Sequence, residues 1–180
     1  MVMMKRKPRL TCSFRLAFAV FLYIDFKRIL EIQWPTFQAL RNKGVPMIYQ
    51  ADTNGFSVFA EPTYHGSELA KESRYHIFGY KITISNHSDR PAQLLSRRWI
   101  IRDGSGREEQ VKGDGVIGQK PWINPGESYS YMSGCPLPSA TGNMRGSYRL
   151  ATEDGGQFDI KIPLFFLRHD DCQNIMEVLN

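Results

Sequence analysis

Three glycines form the sequence pattern whose spacing is most typical of a known chemistry. Gly113, Gly115 and Gly118 have the Gly-x-Gly-x-x-Gly spacing of dinucleotide-binding loops. Such a loop works because a helix follows it and directs its N-terminal N–H groups and positive dipole at a pyrophosphate. Here Pro121 and Pro125 fall among the next eight residues, and two prolines so close together cannot open a helix. The spacing therefore does not predict a nucleotide-binding enzyme of this kind.

Two other interpretations of the glycine segment stay open at this stage. In the first, Gly113, Gly115 and Gly118 are structural, because the backbone needs positive φ values or a close approach there. In the second, loop N–H groups bind a phosphate or another small anion, and Lys112 and Lys120 at the two ends assist. The carboxylate between the first two glycines would oppose such an anion.

The cysteines and histidines do not form a catalytic or metal-binding pattern. Cys12, Cys135 and Cys172 are odd in number and far apart, so neither a disulfide framework nor a zinc site is expected, and a reducing cytoplasm fits this usage. Cys135 is expected to be a small buried apolar side chain. The four histidines lack ligand spacing, and no nucleophile-elbow, Walker A or HExxH motif occurs. We expect no catalytic residue, no bound metal and no cofactor.

The positive charge is confined to one part of the chain. The 180 residues carry a formal charge of +5. Residues 1–46 contain nine Lys and Arg against two acids, a net of +7, so residues 47–180 have a net of −2. A mildly acidic domain lacks the charge that binding to a phosphate backbone requires. Nucleic acid is therefore not an expected partner of residues 47–180.

Residues 1–46 differ from the rest and are treated as an N-terminal extension. A basic start precedes a short apolar run at 16–24, as in a signal peptide, but charged residues follow at once and no cleavage site is evident. The run is too short to cross a bilayer. Three interpretations remain: one or two extra helices or upstream sequence outside the native product, a basic membrane-surface helix, and an export signal. A membrane contact is expected nowhere else.

From residue 47 onward the apolar residues alternate with polar ones. Phe78, Tyr80, Ile82 and Ile84 fall on one face of a predicted strand. Further strand segments are predicted at 56–60, 93–102, 107–112, 128–133, 146–151 and 157–162, separated by turn residues such as those at 103–106 and 153–156. No helical segment connects them. The pattern predicts an all-β protein, an antiparallel immunoglobulin-like sandwich of about seven or more strands.

Strand alternation assigns roles to a few side chains in the predicted 93–102 strand. Leu95, Trp99 and Ile101 are predicted to face the core, with Trp99 as its anchor. Arg97 shares their parity, so it should lie near the core face or the rim between strands, where it could pair with a carboxylate. Arg98 should face water. Arg98 is a candidate for binding a partner.

Arg145 is a second candidate for partner binding. It precedes the predicted strand at 146–151, and its sequence context does not separate recognition of a partner from anchoring of a turn.

Several segments together resemble the ApaG family. They are 80–86 (YKITISN), 93–101 (QLLSRRWII), 103–106 (DGSG), 113–121 (GDGVIGQKP), 124–127 (NPGE), 133–137 (SGCPL) and 144–148 (MRGSY). They are collinear with the family, and the wider resemblance runs from about residue 47 to 167. Such proteins usually begin near the position of Met47. We therefore expect an ApaG-like domain at 47–170 and a tail at 171–180.

The resemblance implies a fibronectin type III-like sandwich in a small cytoplasmic protein. The same domain occurs beside other modules in F-box proteins and in a DNA polymerase delta-interacting protein, which implies binding. Family members are linked to cobalt resistance and magnesium efflux, and to a chromosomal neighbourhood with a diadenosine tetraphosphatase. We expect a non-enzymatic module that binds another protein. The alternative is a sensor of a small anion or dinucleoside polyphosphate at residues 113–118.

Overall fold

The fold was obtained as a computed structural model, which describes residues 47–70 and 73–169. The predicted N-terminal extension at 1–46 and tail at 171–180 lie outside these residues. The described residues form nine strands and no helix. The strands are β1 (Tyr49–Thr53), β2 (Phe56–Ala70), β3 (Ser73–Asn86), β4 (Ala92–Asp103), β5 (Glu108–Asp114), β6 (Trp122–Ile123), β7 (Ser128–Leu137), β8 (Thr141–Thr152) and β9 (Gln157–Arg168). A search of the same residues for a helix long and apolar enough to cross a membrane finds none.

The strands form two antiparallel sheets, which confirms the predicted sandwich. The first sheet has the order β1-β2-β3-β7 and the second the order β5-β4-β8-β9, with the short β6 paired to the start of β4. The chain crosses between the sheets after β3, so that β3 pairs with β7 and β4 pairs with β8. Such crossovers between two packed sheets are typical of the immunoglobulin and fibronectin type III architecture.

The core lies between the sheets and follows the predicted alternation. Phe78, Tyr80, Ile82 and Ile84 of β3 are all buried. They pack with the apolar residues of β2, β4, β8 and β9 in one continuous cluster. Burial of this apolar area is the main force that holds the sheets together.

Trp99 stands in the middle of the core as the sequence predicted. Its ring is 3% exposed and meets Tyr148 and Phe165 edge-on, with ring centroids 6.3 Å and 6.0 Å apart. Edge-to-face contacts of this kind add to the stabilisation from burial alone. These ring contacts therefore connect β4 to β8 and β9 on the inner face of the second sheet.

One predicted face is wrong at the start of β4. Leu94, not Leu95, is fully buried, because a register shift between Leu94 and Ser96 inserts a bulge opposite β8. A bulge adds one residue to the strand, so alternation counted back from Trp99 assigns the wrong face to the residues before the bulge. After the bulge, Arg97 and Trp99 face inward as predicted.

The predicted turns form tight hairpins. Asp103 N–H donates to Arg107 O at 3.0 Å between β4 and β5, and Thr152 N–H donates to Gly156 O at 2.9 Å between β8 and β9. Sequence reasoning did not predict β1 or β6, because β1 is polar and β6 has only two residues.

Candidate functional site

The glycine segment lies between β5 and β6 and contains a two-residue hairpin turn. Val116 N–H donates to Gln119 O at 2.8 Å, and Gln119 N–H donates to Val116 O at 2.9 Å. The two residues between them, Ile117 and Gly118, have φ values of 49° and 72°. Positive φ at both central positions is the conformation of a type I′ turn. Strand β6 follows at Trp122, so no helix is present to complete a pyrophosphate site.

The other two glycines lie where a side chain would meet a neighbouring group. A β-carbon on Gly115, which has φ 54°, would stand 2.1 Å from the carbonyl oxygen of Gln119. A β-carbon on Gly113 would stand 3.0 Å from Nη1 of Arg97. These contacts support the structural interpretation of the segment, since a side chain could not occupy either space without displacing its neighbour.

Arg97 connects β4 to the glycine segment. Its Nη1 donates to the carbonyl oxygens of Asp114 at 3.1 Å and Gly115 at 2.7 Å. Its inward parity agrees with the sequence prediction, but its partners are main-chain carbonyls and not the carboxylate that was expected. The charge of Arg97 is therefore used within the domain.

The contacts of the glycine segment do not favour the predicted anion site. Gly115 N–H donates to Leu95 O at 2.8 Å, so this N–H, like those of Val116 and Gln119, already has an internal acceptor. Lys120 Nζ lies 3.2 Å from Asp114 Oδ2. Lys112 lies on β5 opposite Arg98. Of the two lysines only Lys120 is thus paired, while Lys112 lies across from another cation, and anion binding at this segment stays a prediction.

Arg98 and Arg145, the two candidates for partner binding, do come together. They line one shallow depression of ≈ 320 Å³ on the outer face of the second sheet, with Lys161 and Leu164 of β9. Strand register places them there: Arg98 faces Ser147 across β4 and β8, and Ser147 faces Lys161 across β8 and β9. The depression therefore joins β4 to the β8–β9 hairpin, which is distant from β4 in the sequence.

Neighbours on β5 orient both guanidinium groups. Arg145 Nη2 donates to Glu108 Oε2 at 2.9 Å. With its amide oxygen turned toward Arg98, Gln110 accepts from Nε at 3.1 Å and from Nη2 at 2.7 Å. Leu164 is 48% exposed beside them. The depression thus presents cations around an apolar side chain that faces solvent.

Sequence reasoning missed Lys161 and Leu164. Lys161 could have been found from the alternation of β9, in which Ile160 and Ile162 face the core and the residue between them faces out. Leu164 could not, because a register irregularity in the β8–β9 pairing, between Met144 and Gly146, changes which β9 residues share a face.

The buried titratable groups show no sign of nucleophilic chemistry. Cys135 is 3% exposed, and burial, with a smaller contribution from the charge of Glu109, raises the pKa of its thiol to about 12. Burial also raises the pKa values of Tyr131 and Tyr148, whose hydroxyls hydrogen-bond each other in the core. These groups stay protonated near neutral pH. Among residues 47–70 and 73–169, no three His, Cys, Asp or Glu side chains lie close enough together to share a metal ion.

Fold and site together define a class: an immunoglobulin/fibronectin type III-like sandwich with a glycine hairpin beside β5. The family model for the ApaG domain matches residues 66–152. The chain is 44% identical over 120 residues to the protein ApaG of Brucella canis, which covers 67% of this chain and 92% of that relative. It is 42% identical over 133 residues to the ApaG of Afipia carboxidovorans, which covers 74% of this chain and all of that relative. The chain belongs to the ApaG family.

A solved structure of a related protein has the same fold. The crystal structure of a Bordetella pertussis protein described as ApaA superposes with a TM-score of 0.56 at 38% identity, covering 68% of this chain and 97% of the other. The X-ray structure of the structural-genomics target SoR45 superposes with a TM-score of 0.62 at 35% identity, covering 64% and 88% of the two chains.

Proposed function

We propose that this ApaG-family domain is a non-enzymatic module that binds another protein through the outer face of the sheet β5-β4-β8-β9. The depression around Leu164 carries the proposal. It is open and shallow, and it combines an exposed apolar side chain with the oriented guanidinium groups of Arg98 and Arg145. An apolar centre within a polar rim, with arginine enriched, is the usual composition of a protein–protein interface.

The proposal has two further parts. The protein acts in the cytoplasm, which fits its cysteine usage. The family's link to cobalt resistance and magnesium efflux then reflects the activity of the bound partner. Direct metal binding by this sandwich is not part of the proposal.

The alternative function is a sensor of a small anion or a dinucleoside polyphosphate at the Gly113–Gly118 segment. The internal acceptors of the N–H groups of Gly115, Val116 and Gln119 weaken this alternative, as does the ion pair between Lys120 and Asp114. Titration of diadenosine tetraphosphate and inorganic phosphate, followed by the amide NMR signals of Gly113, Gly115 and Gly118, tests it. Saturable shifts of those three signals would support the sensor.

Site-specific photo-crosslinking, in cells that produce the protein, tests the protein-binding function. A benzophenone side chain replaces Leu164 on the second sheet in one variant and Met132 on the first sheet in the other. The two positions are a matched pair, because both side chains are apolar and they are 48% and 43% exposed. We expect protein adducts from position 164 and few from position 132, since only the first lies in the depression.

Two results would contradict the proposal. Equal adducts from both positions, or none from either, would remove the second sheet as the binding surface. Turnover of nucleotides or polyphosphates by the purified chain, abolished by single substitutions in residues 113–118, would show that the domain is an enzyme.

A further inference from the structure

The outer face of the second sheet is basic, although the domain as a whole is not. Strand register places on this face every second residue of β4, β5 and β8, together with the exposed residues of β9. The face carries three carboxylates and seven cations, a net of +4. The cations are Arg98, Arg102, Lys112, Arg145, Arg149, Lys161 and Arg168.

The carboxylates of this face are already paired. Glu108 pairs with Arg145 at 2.9 Å, Asp114 with Lys120 at 3.2 Å and Asp159 with Arg149 at 2.8 Å. In the part of the chain that the structure describes, no carboxylate forms an ion pair with the other cations of the face. The cations of the face without an ion pair among the described residues are Arg98, Arg102, Lys112, Lys161 and Arg168. Like charges held close together on one sheet repel, so an anionic partner would relieve an existing repulsion.

The first sheet shows no comparable surplus. Its outer face carries Lys81, which is paired with Glu61 at 3.4 Å, and Asp52, which accepts a hydrogen bond from Ser57 at 2.6 Å. Thr83 and Ser130 share a hydrogen bond between hydroxyls on the same face. The positive charge therefore marks one face of the sandwich and not its whole surface.

Apolar side chains interrupt the cations. Leu164 is 48% exposed and Phe166 38%, and the guanidinium of Arg168 lies 4.8 Å from the Phe166 ring centroid. Ile100 stands between Arg98 and Arg102 on β4 and faces Arg145. A ligand that covers this face must therefore match apolar groups as well as positive charges.

The size of the face fits one extended segment of a protein. Four strands at about 4.8 Å spacing make it roughly 15 Å wide, and the twelve residues of β4 at about 3.4 Å each make it roughly 40 Å long. An extended segment of about ten residues spans a similar length.

We propose that this face binds an acidic protein segment in which Asp and Glu alternate with apolar residues. The inference rests on the proposed function and adds the chemistry of the partner. Carboxylates of the segment pair with Arg98, Lys112 and Lys161, while its apolar side chains cover Leu164. Charge complementarity of this kind sets specificity and speeds association.

A single-stranded nucleic acid fits this face less well. Proteins that bind single strands on a sheet present aromatic rings on which bases stack. Here the Phe166 ring already has the Arg168 guanidinium beside it. The carboxylates of Glu108 and Asp159 also stand between the cations and would repel a phosphate backbone.

Binding of two defined peptides to the full chain tests the proposal. The probe is a fluorescent peptide of about ten residues that alternates Glu and Asp with Leu and Phe, a length that matches the face. The matched control peptide has Gln and Asn in place of the acids. The charge-reversal variant is Arg98→Glu/Lys161→Glu. Its matched control is Arg74→Glu/Lys81→Glu, which makes the same charge change on β3 of the first sheet.

We expect the acidic peptide to bind the wild type, and to bind Arg98→Glu/Lys161→Glu at least about tenfold more weakly. The control variant should stay within about twofold, and the neutral peptide should not bind measurably. Lys112→Glu on β5 is an independent variant that should also weaken binding of the acidic peptide. Amide NMR shifts of β4, β8 and β9 in the wild type locate the bound peptide without any substitution.

Three results would overturn the inference. The first is equal binding of the neutral and acidic peptides, and the second is no binding of the acidic peptide. The third is tighter binding of an oligothymidylate of similar length, provided that Arg98→Glu/Lys161→Glu abolishes it. Adducts from position 164 without binding of the acidic peptide would reject only the partner's chemistry. Absence of adducts at position 164 would reject the proposed function itself.

Discussion

The guanidinium of Arg97 lies against Gly113, where a β-carbon would stand 3.0 Å from Nη1. The same Nη1 donates to Gly115 O at 2.7 Å. A pyrophosphate-binding loop presents N–H donors to an anion. This loop instead presents carbonyl oxygens to a cation of its own domain, so the glycine spacing supports a contact of the opposite polarity.

Substituting the three glycines one at a time should give a defined order of stability. Gly115→Ala should cost about 3 kcal/mol or more, because its β-carbon would overlap a main-chain oxygen. Gly118→Ala should cost about 1 kcal/mol, since its positive φ is strained for alanine but the space is open. Gly113→Ala should also cost about 1 kcal/mol, because the end of a flexible side chain can move. Urea unfolding measures all three.

Gly126 supplies a control for the glycine series. Its φ is 77°, and a β-carbon added there would meet no atom within 4 Å, so Gly126→Ala should resemble Gly118→Ala. Equal costs for Gly115→Ala and Gly118→Ala would contradict the packing argument.

Neighbouring arginines of β4 should respond very differently to the same substitution. Arg97→Met removes two hydrogen bonds to loop carbonyls and should lower the free energy of unfolding by about 1–3 kcal/mol. Arg98→Met, on the exposed face, should change it by no more than about 0.5 kcal/mol. Thermal or urea unfolding of both variants measures the difference, and equal effects would show that the inward parity of Arg97 has no energetic consequence.

The local features of this fold could be predicted from the sequence because they depend on neighbours in the chain. The alternation of apolar and polar residues predicted the buried face of β3, and the turn residues at 103–106 predicted the β4–β5 hairpin. The opposite facing of Arg97 and Arg98 followed from their adjacency alone. The ApaG resemblance added the type of sandwich, which alternation by itself does not specify.

The binding face could not be predicted, because it depends on register between strands that are distant in sequence. The net charge of −2 for residues 47–180 hid the basic face, since the cations of β4, β5, β8 and β9 meet only when these strands pair. The bulge after Leu94 has no sequence signal, and it sets the register that pairs Arg98 with Ser147.

Asp103 should stabilise the β4–β5 hairpin in a pH-dependent manner. Its carboxylate accepts bonds from Ser105 N–H at 2.9 Å and Arg107 N–H at 3.0 Å. Burial raises the pKa of Asp103, but the hydrogen bonds from Ser105 and Arg107, with the Arg107 charge, lower it more, so that the net shift is downward. Asp103→Ala should therefore cost about 1–3 kcal/mol near neutral pH.

The sign of the pH effect follows from the lowered pKa. The carboxylate's contribution is fully present above the ordinary value of 3.8 and is lost as the pH falls through the folded-state pKa. The stability difference between the wild type and Asp103→Asn should thus narrow below about pH 4. A difference that stays constant from pH 7 to about pH 3 would contradict this role.

Cys135 should be inert toward thiol reagents in the native protein. Because burial raises the pKa of its thiol to about 12, the thiolate forms near pH 8 only when the sandwich opens. Labelling of the peptide that contains Cys135, followed by mass mapping, should be at least about a thousandfold slower than in urea.

The raised pKa of the Cys135 thiol also predicts how stability depends on alkaline pH. The thiol's contribution to stability is complete below its unfolded-state pKa and is lost as the pH rises toward 12. Cys135→Ala should remove only the thiol's part of the alkaline dependence, since Tyr131 and Tyr148 keep their raised pKa values. Labelling of Cys135 at the rate of a free thiol would identify a reactive cysteine and contradict a non-enzymatic role.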